Sequence, residues 1–281
     1  MTDFFGVLIP FLCIHIICDF YLQPDSWVEA KKAHTYRSPE LYYHSLLHGI
    51  GLILPAMVLG IDWRSTVCLV VIVAVTHFVI DLWKVTTPKG GKLAYFVIDQ
   101  ALHMLVLVAI AFHVTNGASI EAVLTHEHFS DGVLVVFAYL LILKPTSIVI
   151  GAVLSKYPID NSAIGTGTAE KAENTDTVTT VVPVKDGDAN QDRATSISGL
   201  VAGGELIGYL ERLLILTFTL VGSYAAVGFV LAAKSIFRFG ELNQSANRSM
   251  TEYVLIGSLL SVVITTLIGA LVSLGLGVKL K

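Results

Sequence analysis

Apolar and polar positions along this chain come in blocks. Apolar runs at 4–22, 42–60, 66–83, 94–114 and 130–153 are separated by short polar stretches. About 20 consecutive apolar residues cross a bilayer as one helix, and a helix satisfies its own backbone polar groups there. The five runs therefore predict five membrane-spanning helices. Two shorter runs come next at 205–221 and 223–238, parted by Gly222–Ser223, and a last one lies at 253–278. The pattern predicts an all-α, polytopic membrane helix bundle of about eight spans. Merging 205–238 into one span gives seven.

The basic residues favour eight. With the N-terminus outside, the inside loops hold Lys31, Lys32, Arg37, Lys84, Lys89, Lys92, Lys156, Lys171, Lys185, Arg193, Lys234, Arg238 and Arg248, thirteen of the eighteen Lys and Arg residues. Arg64, Lys279 and Lys281 fall outside, and Lys144 and Arg212 fall within spans. An excess of Lys and Arg marks cytoplasmic loops. Seven spans put Lys234, Arg238 and Arg248 on the wrong side. Residues 1–3 carry no Lys or Arg, so the first run reads as a retained span and not as a cleaved signal peptide.

Residues 155–204 break the rhythm. They are rich in Thr, Ala, Asp, Asn and Gly and have little to bury. This predicts a polar, mostly disordered cytoplasmic linker with a short extended piece at 178–184, able to recruit a cytoplasmic protein. The expected organisation is a five-span bundle at 1–154, the linker at 155–204 and C-terminal membrane helices at 205–281. Composition agrees with a membrane protein. Hydrophobic residues make up 54% and charged residues only 14%, where a soluble domain carries about 25% charged. Nothing in it suggests nucleic-acid binding. Cys13, Cys18 and Cys68 lie in apolar runs without CxxC spacing and read as small apolar side chains.

Against this background the polar residues inside the runs stand out. Span one carries His15 and Asp19, span two His44 and His48, span three His77, Asp81 and Lys84, and span four Asp99 and His103. Residues i and i+4 share one face of a helix, one turn apart. The pairs lie late in the odd spans and early in the even ones, which places all four at one depth, toward the cytoplasmic end. Ionisable groups in a membrane are costly unless paired, ligated or hydrated, so they mark functional sites by default. Five imidazoles and three carboxylates suit zinc, manganese or iron, one or two ions. Two alternatives stand beside this one: a structural or proton-carrying network, and haem, beside which the Asp partners would be unusual.

Gln23, Tyr43, Gln100 and Lys84 are expected at the mouth of the same site. Lys84 either holds a phosphate or snorkels to the interface. His34, His113, His126 and His128 fall outside the register. Farther on, Lys144 precedes Pro145, a predicted kink. Lys144, Lys234 and Arg238 are candidates for binding an anionic headgroup, or simply lipid phosphates.

These motifs resemble a bacterial inner-membrane family known only as a domain of unknown function, with the pattern HxxxDFxxQ, a His pair, THxxIDxxK and DQxxH. Here they are His15–Asp19–Phe20–Gln23, His44–His48, Thr76–His77–Ile80–Asp81–Lys84 and Asp99–Gln100–His103. The likeness covers about the first 115 residues. The later stretches LIGYLERLLIL, AAKSIFRFGEL and EYVLIGSLLS also resemble longer members. A looser similarity links the motifs to membrane-bound metal-dependent hydrolases of bacterial inner membranes. The resemblance implies a multi-pass protein of the bacterial plasma membrane and no established activity.

The chemistry gives an expected function: a metal-dependent hydrolase acting on a lipid or lipid-linked phosphate, or another ester, at the cytoplasmic face. His15, Asp19, His44, His48, His77, Asp81, Asp99 and His103 are the expected ligands. A carboxylate left unligated, Asp81 or Asp99, would serve as base and Lys84 would steady the oxyanion. The alternatives are a divalent-metal or proton transport or sensing protein, or a non-catalytic membrane scaffold.

Overall fold

The computed structural model describes residues 4–88, 90–115, 131–155, 188–242 and 248–277, with side chains in the last two stretches only for 204–236, 253 and 255–277. Within them the chain is helical, without strands. Helix α1, Phe4–Ile16, runs into one π-helical turn, Ile17–Tyr21, closed by the Leu22 amide donating to the Ile17 carbonyl at 2.9 Å. Pro24 then ends the segment and caps α2, Asp25–His34. A 3₁₀ turn at Thr35–Arg37 leads to α3, Pro39–Gly51, with Pro39 in its first turn, where its missing N–H costs nothing. Helix α4, Ile53–Val58, continues α3 after a break at Leu52, where Pro55 cannot donate back to Gly51.

Helix α5, Trp63–Thr86, starts at Asp62, whose carboxylate accepts the Arg64 and Ser65 amides at 3.1 Å each. Hydrogen bonds from Ser65 hold that carboxyl below the usual aspartate range. Helix α6 spans Leu93–Val114. Helices α7, Asp131–Ile142, and α8, Lys144–Leu154, meet at Leu143, so the break predicted at Pro145 is present. Three more helices complete the described chain: α9, Asp188–Leu220; α10, Tyr224–Leu242; and α11, Arg248–Gly275.

Six of these segments are long and apolar enough to cross a membrane among the described residues: Phe4–Tyr21, Pro39–Val58, Trp63–Thr86, Leu93–Val114, Asp131–Leu154 and Leu255–Gly275. The two that would complete eight are not among them. Helix α10 offers a shorter apolar stretch, Tyr224–Ile236. Helix α9 begins at Asp188, inside the stretch expected as linker, so residues 188–204 are helical. The rest of that linker, with the extended piece at 178–184, lies outside the described residues, as do His126 and His128. The polar stretch between the first two runs, expected as an inside loop holding Lys31, Lys32 and Arg37, instead folds into α2 and the 3₁₀ turn.

Two cores hold the bundle. One joins Phe4, Val7, Leu8 and Phe11 of α1 to Leu69 and Val73 of α5 and Leu107, Ile110 and Ala111 of α6. These are early in α1 and α5 and late in α6, so they fill the half opposite the polar pairs. The second joins Ile9 and Cys13 to Leu134, Ala138 and Ile142 of α7, Leu216 of α9 and Val272 of α11. The C-terminal helices thus pack on the N-terminal ones. The outer faces are apolar, with Val58 80% and Phe229 75% exposed, an arrangement that costs little only against lipid. The three cysteines are free thiols. Buried Arg212 ties α8, α9 and α11 together, donating to Ser147 Oγ at 2.7 Å and Ser261 Oγ at 3.3 Å.

Close approach of α3 to α5 depends on Gly49. A Cβ there would sit 2.7 Å from the Val70 carbonyl oxygen and 3.1 Å from Ala74 Cβ. Backbone cannot swing aside, so Gly49→Ala should push α3 away from α5 and cost about 1–3 kcal/mol. The expected result is a lower thermal unfolding midpoint in detergent; an unchanged midpoint would show that the contact is slack.

Candidate metal centre

Four segments bring the four polar pairs together, as the register predicts. The late part of α1 and its π turn supply His15 and Asp19, α3 supplies His44 and His48, α5 supplies His77 and Asp81, and α6 supplies Asp99 and His103. The five imidazoles, Asp81 and Asp99 are each no more than 6% exposed. A π turn adds a residue to the helical turn and re-aims the side chains beyond it, a device frequent at functional sites. Here it carries Asp19.

Asp19 is the hub. Its Oδ1 lies 3.0 Å from His44 Nε2, 3.0 Å from His48 Nε2 and 3.6 Å from His77 Nε2, while His44 Nε2 and His77 Nε2 are 3.1 Å apart. Four ligand atoms held at about 2.0–2.1 Å around a tetrahedral zinc stand about 3.3 Å from one another. One atom from each of these four residues falls within 4.8 Å of all the others. Three buried imidazole nitrogens and one carboxylate oxygen at this spacing form a set that could hold a metal ion.

The charges lead to the same place. Lys31 Nζ donates to Asp81 Oδ2 at 2.6 Å, and Lys84 Nζ donates to Asp99 Oδ2 at 2.6 Å. Each of these carboxylates has its ammonium. Asp19 has none among the described residues; its partners are imidazoles and Gln100, whose Nε2 donates to Oδ2 at 2.8 Å. A buried carboxylate without a counter-charge is expensive, and a divalent ion among the three imidazoles would supply one.

The predicted residues take unequal places. His15 Nε2 stands 3.6 Å from Asp19 Oδ2, and His103 stacks on His77 with ring centroids 4.0 Å apart. Asp81 reaches toward His44 and His77 at 3.8 and 4.0 Å while held by Lys31. Asp99 belongs to none of the three metal-capable groups; its Oδ1 is buried without a partner. Gln23 and Gln100 line the approach, as expected. Tyr43 is 59% exposed and lies near the Trp27 ring, away from the cluster. Lys144 comes over the Tyr21 ring and lines the outer approach. Lys234 pairs with Glu211 beside a separate cavity of about 210 Å³. The Arg238 side chain lies outside the described residues. His34 and His113 stay out of the site, His34 against the Ala30 carbonyl and His113 in the far turn of α6.

Sequence reasoning missed Lys31. It sits on α2, two turns past Pro24, in a stretch that reads as an ordinary charged loop, yet it is 5% exposed. Only the fold shows that α2 turns back over the cluster.

One side of the cluster is open and the other closed. A cavity of about 320 Å³ is lined by Asp19, Gln23, Lys31, Lys32, Asp81, Lys84 and Asp99. It adjoins another of about 610 Å³ that shares Asp19, Gln23, Lys32 and Lys84 and adds Gln100, Lys144, Ser147, Glu205 and Tyr209. Four lysines thus ring the way in. On the far side Phe11, Ile14, Leu52, Val73, Val106 and Leu107 close over His15, His48, His77 and His103, leaving about 10 Å³, room for one water at most.

Residues 7–130 match the model of a family described as a protein of unknown function (DUF3307). Every member of the cluster, with Lys31 and Lys84, lies inside that match. No curated protein and no solved structure matches the chain.

Proposed function

We propose that the chain is a metal-dependent hydrolase of the bacterial inner membrane, acting on a lipid or lipid-linked phosphate, or another ester, at the cytoplasmic face. One observation carries the reading: a metal-capable His₃Asp set stands at the inner end of a lysine-ringed cavity large enough for a phosphorylated headgroup. Counting α9 and α10 as a further pair of spans gives eight, with that mouth on the side richest in Lys and Arg and the N-terminus outside.

Zinc, manganese or iron held by Asp19, His44, His48 and His77 would lower the pKa of a bound water and polarise the ester. The protein's own groups supply the rest. Lys32 and Lys144 draw the anionic group into the cavity. Lys84, 27% exposed on the cavity wall, steadies charge on the phosphoryl oxygens. Asp99, with Oδ1 free of partners, takes the proton as the water oxygen bonds to phosphorus. The ester P–O bond breaks and the departing alkoxide is protonated from solvent in the cavity. Asp81, held by Lys31, keeps His44 and His77 in place and is the alternative base.

The apolar closure behind the cluster favours work at one face over transport, which needs a polar path to the other side. A screen of lipid phosphates and soluble phosphoesters with Zn²⁺ or Mn²⁺ tests the reading. Turnover by the native chain, lost in His77→Ala/Asp81→Ala, is expected. Metal binding with no turnover on any ester contradicts hydrolysis and turns the reading to metal sensing.

A further inference from the structure

We infer that Asp19 bridges two metal positions, and that His15 and His103 complete the second. This rests on the metal reading above and adds a site to it. The starting observation is His103. It is 4% exposed, and neither of its ring nitrogens has a hydrogen-bond partner. A neutral imidazole carries one N–H and one lone pair, so this ring buries an unmet donor and an unmet acceptor together. Buried polar groups in native proteins are nearly always satisfied, and one that is not points to a missing ligand.

Around His103 the other ligands are in place. One ligand atom each from His15, Asp19 and His103 lies within 4.8 Å of the other two. The two Asp19 oxygens face different ways: Oδ1 toward His44 and His48, Oδ2 toward His15 and Gln100. A carboxylate that presents one oxygen to each of two nitrogen sets is placed to bridge two ions, which in two-metal hydrolases stand about 3.5–4 Å apart. Gln100 spans the gap, donating to Asp19 Oδ2 at 2.8 Å with its Oε1 3.4 Å from His15 Nε2. It holds this oxygen and this nitrogen apart at the spacing an ion would need.

A rival second position exists at His77, Asp81 and His103, also within 4.8 Å. It is the poorer one. Asp81 Oδ2 already takes the Lys31 ammonium at 2.6 Å, and His77 Nε2 is committed to the set around Asp19 Oδ1. With an ion at each Asp19 oxygen, one can activate the water while the other neutralises the leaving oxygen, which suits phosphate esters.

The test uses the full chain in detergent, stripped with chelator and reloaded with Mn²⁺. Metal content and the Mn²⁺ spin signal are read together. Two ions per chain with a spin-coupled signal are expected in the native protein and in Asp81→Asn. His103→Gln and His15→Gln should each hold one ion with an uncoupled signal, at unchanged helical content. One uncoupled ion in the native chain overturns the bridge and leaves the single-metal reading standing. None overturns both. Loss of the second ion in Asp81→Asn but not in His15→Gln moves it to the rival position and refutes the bridge. Should a variant fail to fold, the native stoichiometry and coupling still decide.

Discussion

Asp19→Asn is expected to weaken zinc binding by about two powers of ten or more. Structural zinc sites with four ligands bind with about 10–16 kcal/mol, so one ligand is worth about 3 kcal/mol, which is about 100-fold in affinity. Asp19 should lie at the upper end, because it supplies the charge as well as an oxygen, and its Oδ1 is the atom on which His44, His48 and His77 converge. Its effect on stability should reverse with the metal. Without an ion, a buried carboxylate lacking an ammonium partner is a burden, so the asparagine form should unfold no earlier than the native chain. With zinc present at about a thousand times its dissociation constant, the native chain should gain about 4 kcal/mol and Asp19→Asn little. Thermal unfolding in detergent, with zinc and with chelator, measures both. A native midpoint that zinc does not raise would contradict this account.

The second large effect is expected at Lys31. Its bond to Asp81 at 2.6 Å joins side chains only 6% and 8% exposed. Lys31→Met strands the carboxylate in a buried place, and breaking such a pair costs about 3–5 kcal/mol. Replacing both partners removes the stranded charge, so Lys31→Met/Asp81→Leu should recover most of that loss. The double variant should also keep the ion at Asp19, His44, His48 and His77, because neither residue belongs to that set. Unfolding midpoints and zinc content of the single and double variants check this. Zinc lost from a folded double variant would make Asp81 a ligand instead of the partner of Lys31.

Most of the site was legible because helices are periodic. His15–Asp19, His44–His48, His77–Asp81 and Asp99–His103 needed only the i, i+4 rule and the alternation of up and down spans to be placed at one depth. The ranking among them was not legible. Nothing in HIICDFYLQPD marks the π turn that carries Asp19 into the centre. Likewise, nothing separates Asp19 from Asp81 and Asp99 until Lys31 and Lys84 are seen to neutralise the latter two. Lys31 was hidden because burial of a lysine on a short charged helix depends on where that helix packs. Tyr43, one residue before His44, was expected at the mouth, but on α3 neighbouring residues point about 100° apart, and it faces outward.

Span boundaries followed hydropathy to within a few residues, with α5 at Trp63–Thr86 against the expected 66–83. Among the described residues six segments are long and apolar enough to span, and the runs at 205–221 and 223–238 are not among them. Helix α9 mixes Glu205, Glu211 and Arg212 with apolar residues, and α10 sets Lys234 within its described apolar stretch, Tyr224–Ile236. Tertiary packing matters in α9: Arg212 donates to Ser147 and Ser261 from neighbouring helices, which no local pattern records.

Metal analysis of the purified full chain beside His44→Ala/His77→Ala tests the central claim most directly. Both proteins are stripped, reloaded with Zn²⁺ and freed of excess ion, with helical content measured on each. At least one zinc per native chain is expected, and less than a tenth of that in the double variant at unchanged helical content. A native chain that holds no zinc, manganese or iron after reloading, or a folded double variant that holds as much as the native chain, would contradict the metal centre.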